Sequence, residues 1–177
     1  WTVMQGCLEE DFAALRKLRD ESECDELKQA WTGEDPRDWK CDLGGQQRPC
    51  VDVTGDRVTG LGLSFSSLAV LPDAIGELFG TLKVLVFIKC SSLTTLPAAI
   101  GELKALTKLD LTGCTSLKTL PNAIDGREGL TVVLPDQLNA PLQEDLAALR
   151  KLRDDDASGA LKEYFGDGED PRGWKDG

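Results

Sequence analysis

The 177-residue chain carries 31 acidic against 20 basic side chains, a formal net charge of −11. That weighs against nucleic-acid or anionic-membrane binding, since both need a basic face. Histidine is absent, so imidazole acid–base chemistry and histidine metal ligation are excluded. No apolar run approaches the roughly 18–20 residues that cross a bilayer. A chain of this length can bury about 70% of its surface, enough for a core without metals. It starts at Trp1 with its first methionine at Met4, as a mature or trimmed fragment would, and no signal peptide is visible. The charge is uneven: residues 1–57 sum to −6, 58–134 to zero and 135–177 to −5.

In the first segment, Leu8, Phe12, Leu15 and Leu18 fall at helical spacing, with Arg16, Lys17 and Arg19 outside. This predicts an amphipathic helix. A second short helix is expected near Asp25–Trp31, offering Leu27, Ala30 and Trp31 to the core. The run Arg57-Val58-Thr59-Gly60-Leu61 then leads into the middle segment.

That segment is periodic. LKVLVFIKCSSLTTLPAAIGELKA from Leu82 and LTKLDLTGCTSLKTLPNAIDGREG from Leu106 are both 24 residues long and align position for position. An earlier unit, VTGLGLSFSSLAVLPDAIGELFGT from Val58, has one residue fewer after Leu63 and one more after Leu78. A fourth begins at Leu130 (LTVVLP) and stops at Pro135. Leucines at the first, fourth and sixth positions of each unit place alternate side chains of a short strand inward. One such unit cannot bury its own apolar face, whereas several stacked units make a continuous core.

The pattern LxxLxLxxCxxLxxLPxxIGxL resembles the leucine-rich repeat family over residues 58–129. The resemblance implies an α/β fold: a short solenoid of 24-residue repeats with parallel strands on its concave face. Asp11, Ala14, Leu15, Leu18, Trp31, Trp39 and Gly55-Asp56-Arg57-Val58-Thr59 also resemble the helical N-terminal cap that precedes such repeats in plants, algae and bacteria. The expected organisation is a helical cap at 1–57, repeats at 58–134 (three full, one truncated) and a cap-like helical segment at 135–177.

The last segment copies the first. EDFAALRKLRD at 10–20 returns as EDLAALRKLRD at 144–154, and EDPR and a closing tryptophan (Trp39, Trp174) recur. A helix is expected over 142–154. It either closes the solenoid over Thr131–Leu134 or opens a new cap-plus-repeat module near Pro141.

Cys7, Cys24, Cys41 and Cys50 are the candidate disulfide cysteines, with three possible connectivities. In the second copy Cys24 becomes Ser158 and Cys41 falls at about Asp176, which hints at a Cys24–Cys41 pair. Cys7, aligned with Pro141, is lost too. Cap cysteines favour an oxidising compartment. The lack of an Asn-x-Ser/Thr sequon, and a resemblance of LDLTGCTSLKTLP to intracellular plant immune receptors, pull the other way. Localisation is left open, on the extracellular side of even. Cys90 and Cys114, at matching repeat positions, are expected to be buried thiols rather than a metal or redox pair.

No phosphate-binding glycine loop, calcium-loop spacing or catalytic constellation is present. The acidic turn Asp167–Asp170 and the run Asp154–Asp156 are expected to be solvated. No metal and no cofactor is implied. The concave face is the expected binding surface, through Phe65, Val84, Val86, Ile88, Lys89, Lys108 and Asp110, with Gly60, Gly62, Ser64 and Thr112 beside them. Val84, Val86 and Ile88 form an apolar row where polar residues are ordinary. Such a row marks a protein contact, is covered by the chain's own flank, or reflects β-branched preference in strands. The resemblance implies a non-catalytic module that binds a protein or peptide. The alternatives are a constitutive subunit of a larger assembly, including self-association, or a regulatory arm of a larger GTPase or kinase. Neither nucleic-acid binding nor membrane insertion is expected.

Overall fold

A helix, α1 (Thr2–Glu21), opens the chain and buries Phe12, Ala14, Leu15 and Leu18 along one face. The computed structural model to which it belongs describes residues 2–42, 45–78, 80–124 and 127–155. Within the helices it describes the backbone alone for 2–7, 139–144, 146 and 153. Two compact units result, Trp1–Pro135 and Asp136–Gly177.

In the first unit, α1 ends where the Ser22 amide donates to the Leu18 carbonyl at 3.2 Å. Helix α2 (Asp25–Ala30) follows, with Asp25 and Glu26 in its first turn and Lys28 in its last, both favourable to the helix dipole. A 3-10 turn at Pro36–Asp38 is capped by the Asp35 carboxylate, which accepts from the Arg37 amide at 3.0 Å. Two antiparallel strands, β1 (Lys40–Asp42) and β2 (Gln47–Pro49), form a small hairpin.

Strands β3 (Val51–Thr54), β4 (Arg57–Leu63), β5 (Val84–Phe87), β6 (Lys108–Asp110) and β7 (Thr131–Val133) make one sheet in chain order. Gly55, at φ 64°, turns β3 back antiparallel onto β4, a conformation that favours glycine. From β4 onward every pairing is parallel. The register sets Leu61, Leu85, Leu109 and Val132 in one row and pairs Leu63 with Phe87. The leucines and Phe87 are buried. The outcome is a mixed α/β fold with a largely parallel sheet, which fits a leucine-rich-repeat-like architecture.

Parallel strands need a return path outside the sheet. It is supplied by 3-10 turns at Asp73–Leu78 and Ala98–Glu102. The same bond recurs in each return: Ile75 to Pro72 at 3.2 Å, Ile100 to Pro97 at 3.1 Å and Ile124 to Pro121 at 3.1 Å. The recurring Leu-Pro-x-x-Ile thus has a mechanism. Proline fixes φ and leaves its carbonyl to accept from the isoleucine amide, while the isoleucine side chain turns inward. At the end of the third return, Arg127 occupies the position of Leu103 and donates to the carbonyls of Leu103 and Lys104, each at 2.7 Å.

Helix α1 packs on β4 and on the turn Asp73–Leu78. Asp11, almost fully buried, fixes that seat. Its carboxylate accepts from Arg57 Nε and Nη2, each at 3.0 Å, and from the Val58 amide at 2.8 Å. Lys17 forms an ion pair with Glu77 on the turn. Trp31 and Trp39 stack at 4.6 Å between ring centroids, with Phe65 edge-on to Trp31 at 5.9 Å.

Two sequence expectations are corrected. Phe65 does not lie on the exposed face: it is 3% exposed. The residue missing after Leu63 puts it in phase with Cys90 and Cys114, and the same bond marks all three. The Leu68, Leu93 and Leu117 amides donate to the carbonyls of Phe65, Cys90 and Cys114. The disulfide is Cys41–Cys50, not Cys24–Cys41, because the β1–β2 hairpin brings Cys41 and Cys50 to a Cα separation of 5.5 Å. Cys24 is buried against the Ser67 hydroxyl at 3.3 Å.

In the second unit, α3 (Asp136–Asp155) includes the helix expected over 142–154. The Cys7 side chain, the Asp167–Asp170 turn, Ser158, Asp176 and Trp174 lie outside the described residues.

Candidate functional site

Opposite the leucine row, the parallel register builds two outward rows: Gly60, Val84, Lys108 and Thr131, then Gly62, Val86, Asp110 and Val133. Val84, Val86 and Ile88 are half-buried, as are Asp110 and Val133, while Lys89 and Lys108 are exposed. Six of the seven residues expected on this face therefore lie together, without Phe65. Val133 joins them and was missed. It belongs to the truncated fourth unit, whose LTVVLP run was its only signal.

The first strand contributes glycine for a steric reason. A Cβ on Gly60 would lie 2.6 Å from Asp52 Oδ2, so the β3 side chain leans over that position. At the other end of the strands, Gly113 admits the neighbouring backbone: a Cβ there would lie 2.2 Å from the Lys89 amide nitrogen. Lys89 itself adopts φ 57°, uncommon for a residue with a side chain. The bend carries its ammonium to 3.4 Å from Asp42 Oδ2.

The polar groups of the face are tied to one another. Lys108 Nζ lies 3.7 Å from Asp110 Oδ2. Asp110 Oδ1 accepts from the Thr112 amide at 3.2 Å and its hydroxyl at 2.7 Å, closing the turn after β6. Ile88, Lys89, Asp110, Thr112 and Gly113, with Ser66, Ser91 and Thr115, line an open cleft of about 680 Å³. Its lining is one aliphatic side chain, Ile88, beside hydroxyls, a lysine and a carboxylate.

Behind the sheet, burial pushes the Cys90 thiol up to about 11 and the Cys114 thiol up to about 12. Both are neutral at ordinary pH, as interior packing requires. Elsewhere, the Ser66 hydroxyl, which donates to Glu26 at 2.9 Å, holds that carboxyl below the usual range. Arg37 holds Asp35 at about 2. Among the described residues, no group of three His, Cys, Asp or Glu is placed to hold a metal ion. No described helix is long and apolar enough to cross a membrane.

No protein-family model matches the chain, and no curated protein matches it. Among solved structures, it is similar to the leucine-rich repeat domain of the type III effector XCV3220 (XopL), at 28% sequence identity with a TM-score of 0.34. The match covers 47% of this chain and 37% of that one, so the chain spans well under half of its neighbour's length.

Proposed function

We propose that this chain is a non-catalytic protein-binding module. It is built as a short leucine-rich-repeat solenoid behind a helical cap, and it recognises a protein or peptide on the outward face of its parallel sheet. The observation that carries the reading is the register. It aligns Val84 and Val86 on one strand, with Ile88 just beyond and Val133 two strands away, beside charges already paired at Lys89–Asp42 and Lys108–Asp110. Aliphatic side chains that are cheap to dehydrate, framed by polar groups held in place, are the common anatomy of a protein interface. Lys89, Lys108 and Asp110 orient the ligand in this reading, and Val84, Val86 and Ile88 supply the apolar contact. No cofactor enters it.

The test is partner capture by the intact chain and by a Val86→Asp/Ile88→Asp variant of matched melting temperature. The reading expects capture to fall about tenfold or more, from lost apolar contact and two uncompensated buried charges. Unchanged capture places the contact elsewhere. A face buried within a permanent assembly would instead appear as a loss of assembly size in the same variant.

A further inference from the structure

Gly33, Gly45, Gly55 and Gly129 take positive φ, and Lys89, at φ 57°, is the one described residue with a side chain that does so. A Cβ in this conformation crowds the following carbonyl, which is why glycine is the usual occupant. The bend belongs to a place where two units differ in length. The first runs Leu63-Ser64-Phe65 where the second runs Phe87-Ile88-Lys89-Cys90, so the second must take up one residue more. The third unit has Gly113 at the position of Lys89, outside the left-handed region. The repeat by itself does not impose the bend.

The Asp42 ion pair does not account for a lysine here. Lys89 Nζ donates to Asp42 Oδ2 at 3.4 Å, but the two side chains are 57% and 45% exposed. Exposed pairs of this kind contribute little and are screened by salt, less than a left-handed side chain costs. Backbone strain that persists without a structural return gathers at functional sites.

Lys89 lines the open cleft of about 680 Å³ beside Ile88. The carboxylate in that lining, Asp110, is already engaged. Its Oδ1 accepts from the Thr112 amide and hydroxyl, and its Oδ2 faces Lys108 at 3.7 Å. An ammonium carries three N–H donors, and Asp42 accepts from one. The cleft therefore offers a cation with donors to spare, next to an aliphatic side chain.

We propose that Lys89 receives an acidic side chain of the ligand, whose neighbouring aliphatic residue packs on Ile88. The inference rests on the outward face being the binding surface, and it names the class of ligand: a peptide segment with Asp or Glu beside an aliphatic residue. The lysine is kept, although it lowers stability, because its charge is used in binding.

The probe is a displayed library of random linear peptides, joined to the carrier through their C-terminal ends so that no free terminal carboxylate is offered. The full-length oxidised chain selects from it, beside chains carrying Lys89→Gly, Lys89→Arg or Lys89→Glu. Peptides retained by the unmodified chain should be enriched in Asp or Glu beside Val, Ile or Leu. Lys89→Gly should bind them at least about tenfold more weakly, yet melt roughly 2 °C higher. Lys89→Arg should keep the binding, and Lys89→Glu should turn the preference to Lys and Arg.

The Val86→Asp/Ile88→Asp chain separates a failure of this inference from a failure of the surface it rests on. If that chain loses the selected peptides while Lys89→Glu leaves their affinity and composition unchanged, the face binds and the role of Lys89 is overturned. If that chain keeps them, the outward face itself is overturned. An equal or lower melting temperature for Lys89→Gly also overturns the proposal, because the lysine then serves the fold through Asp42. A library that yields no peptide does the same, since a cleft for a linear acidic segment must retain some members.

Discussion

Asp11 accepts three hydrogen bonds on one buried carboxylate, two from Arg57 and one from the Val58 amide, and so ties α1 to the start of β4. Removing it takes this acceptor from the Val58 amide and from the Arg57 guanidinium at the seat of α1. Charged hydrogen bonds of this kind are worth roughly 1.5–3 kcal/mol, so Asp11→Ala should lower the unfolding free energy by about 2–3 kcal/mol. Urea unfolding measures it, and a change under about 0.5 kcal/mol would fit an ordinary surface site instead. Cys90 and Cys114 give a second residue-scale expectation. Their folded pKa values, about 11 and 12, stand above the 9.0 of an unperturbed thiol. The unfolded state therefore ionises first: stability is intact below pH 9 and declines as pH rises towards 11–12. The decline between pH 9 and 11 should be shallower in Cys90→Ala/Cys114→Ala than in the unmodified chain, followed by thermal melting against pH. Equal slopes would mean the thiols are not shielded from water. The inward placement of both cysteines was legible in the sequence because they recur at one repeat position. The role of Asp11 was only half legible, since its partners Arg57 and Val58 lie 46 and 47 residues away.

The strands were legible in the middle segment, where inward positions recur at a fixed spacing and hydrogen bonds such as Thr107 to Lys83 span 24 residues. They were least legible where the period slips. A single missing residue after Leu63 carried Phe65 from the expected outward face into the aromatic cluster with Trp31, and period-two counting cannot see such a slip. The β1–β2 hairpin was not anticipated either. Gln47, Arg48 and Pro49 are all exposed and polar or helix-breaking, so the element shows no alternation of apolar and polar residues, and the Cys41–Cys50 bridge closes it. That bridge spans a sequence separation of 9, for which loop-closure entropy gives about 2–3 kcal/mol. Reduction with dithiothreitol should therefore lower stability by about that amount. All five described cysteines are buried, so peptide-resolved alkylation should label Cys24, Cys90 and Cys114 only after unfolding, and Cys41 and Cys50 only after unfolding and reduction together. Labelling of Cys24 in the folded, oxidised chain would contradict its burial against Ser67.

Across the whole molecule, the net charge of −11 belongs to the two related flanks and leaves the repeat segment neutral. The acid on the flanks does not choose the ligand of a neutral sheet face. That face was legible as alternating positions on strands, and its membership was legible except at the two ends, Phe65 and Val133, where the repeat is irregular or cut short. Its ligand was not legible, because aliphatic side chains specify a shape to be covered and not a chemical group to be bound. The central claim is that a protein partner covers the outward rows of the parallel sheet. Hydrogen–deuterium exchange of the full chain, alone and with its captured partner, tests it most directly. The account predicts new protection over 84–89, 108–113 and 131–133, with the outer turns at 73–78 and 98–102 unchanged. Protection confined to those outer turns, or to α1 and α2, would contradict it.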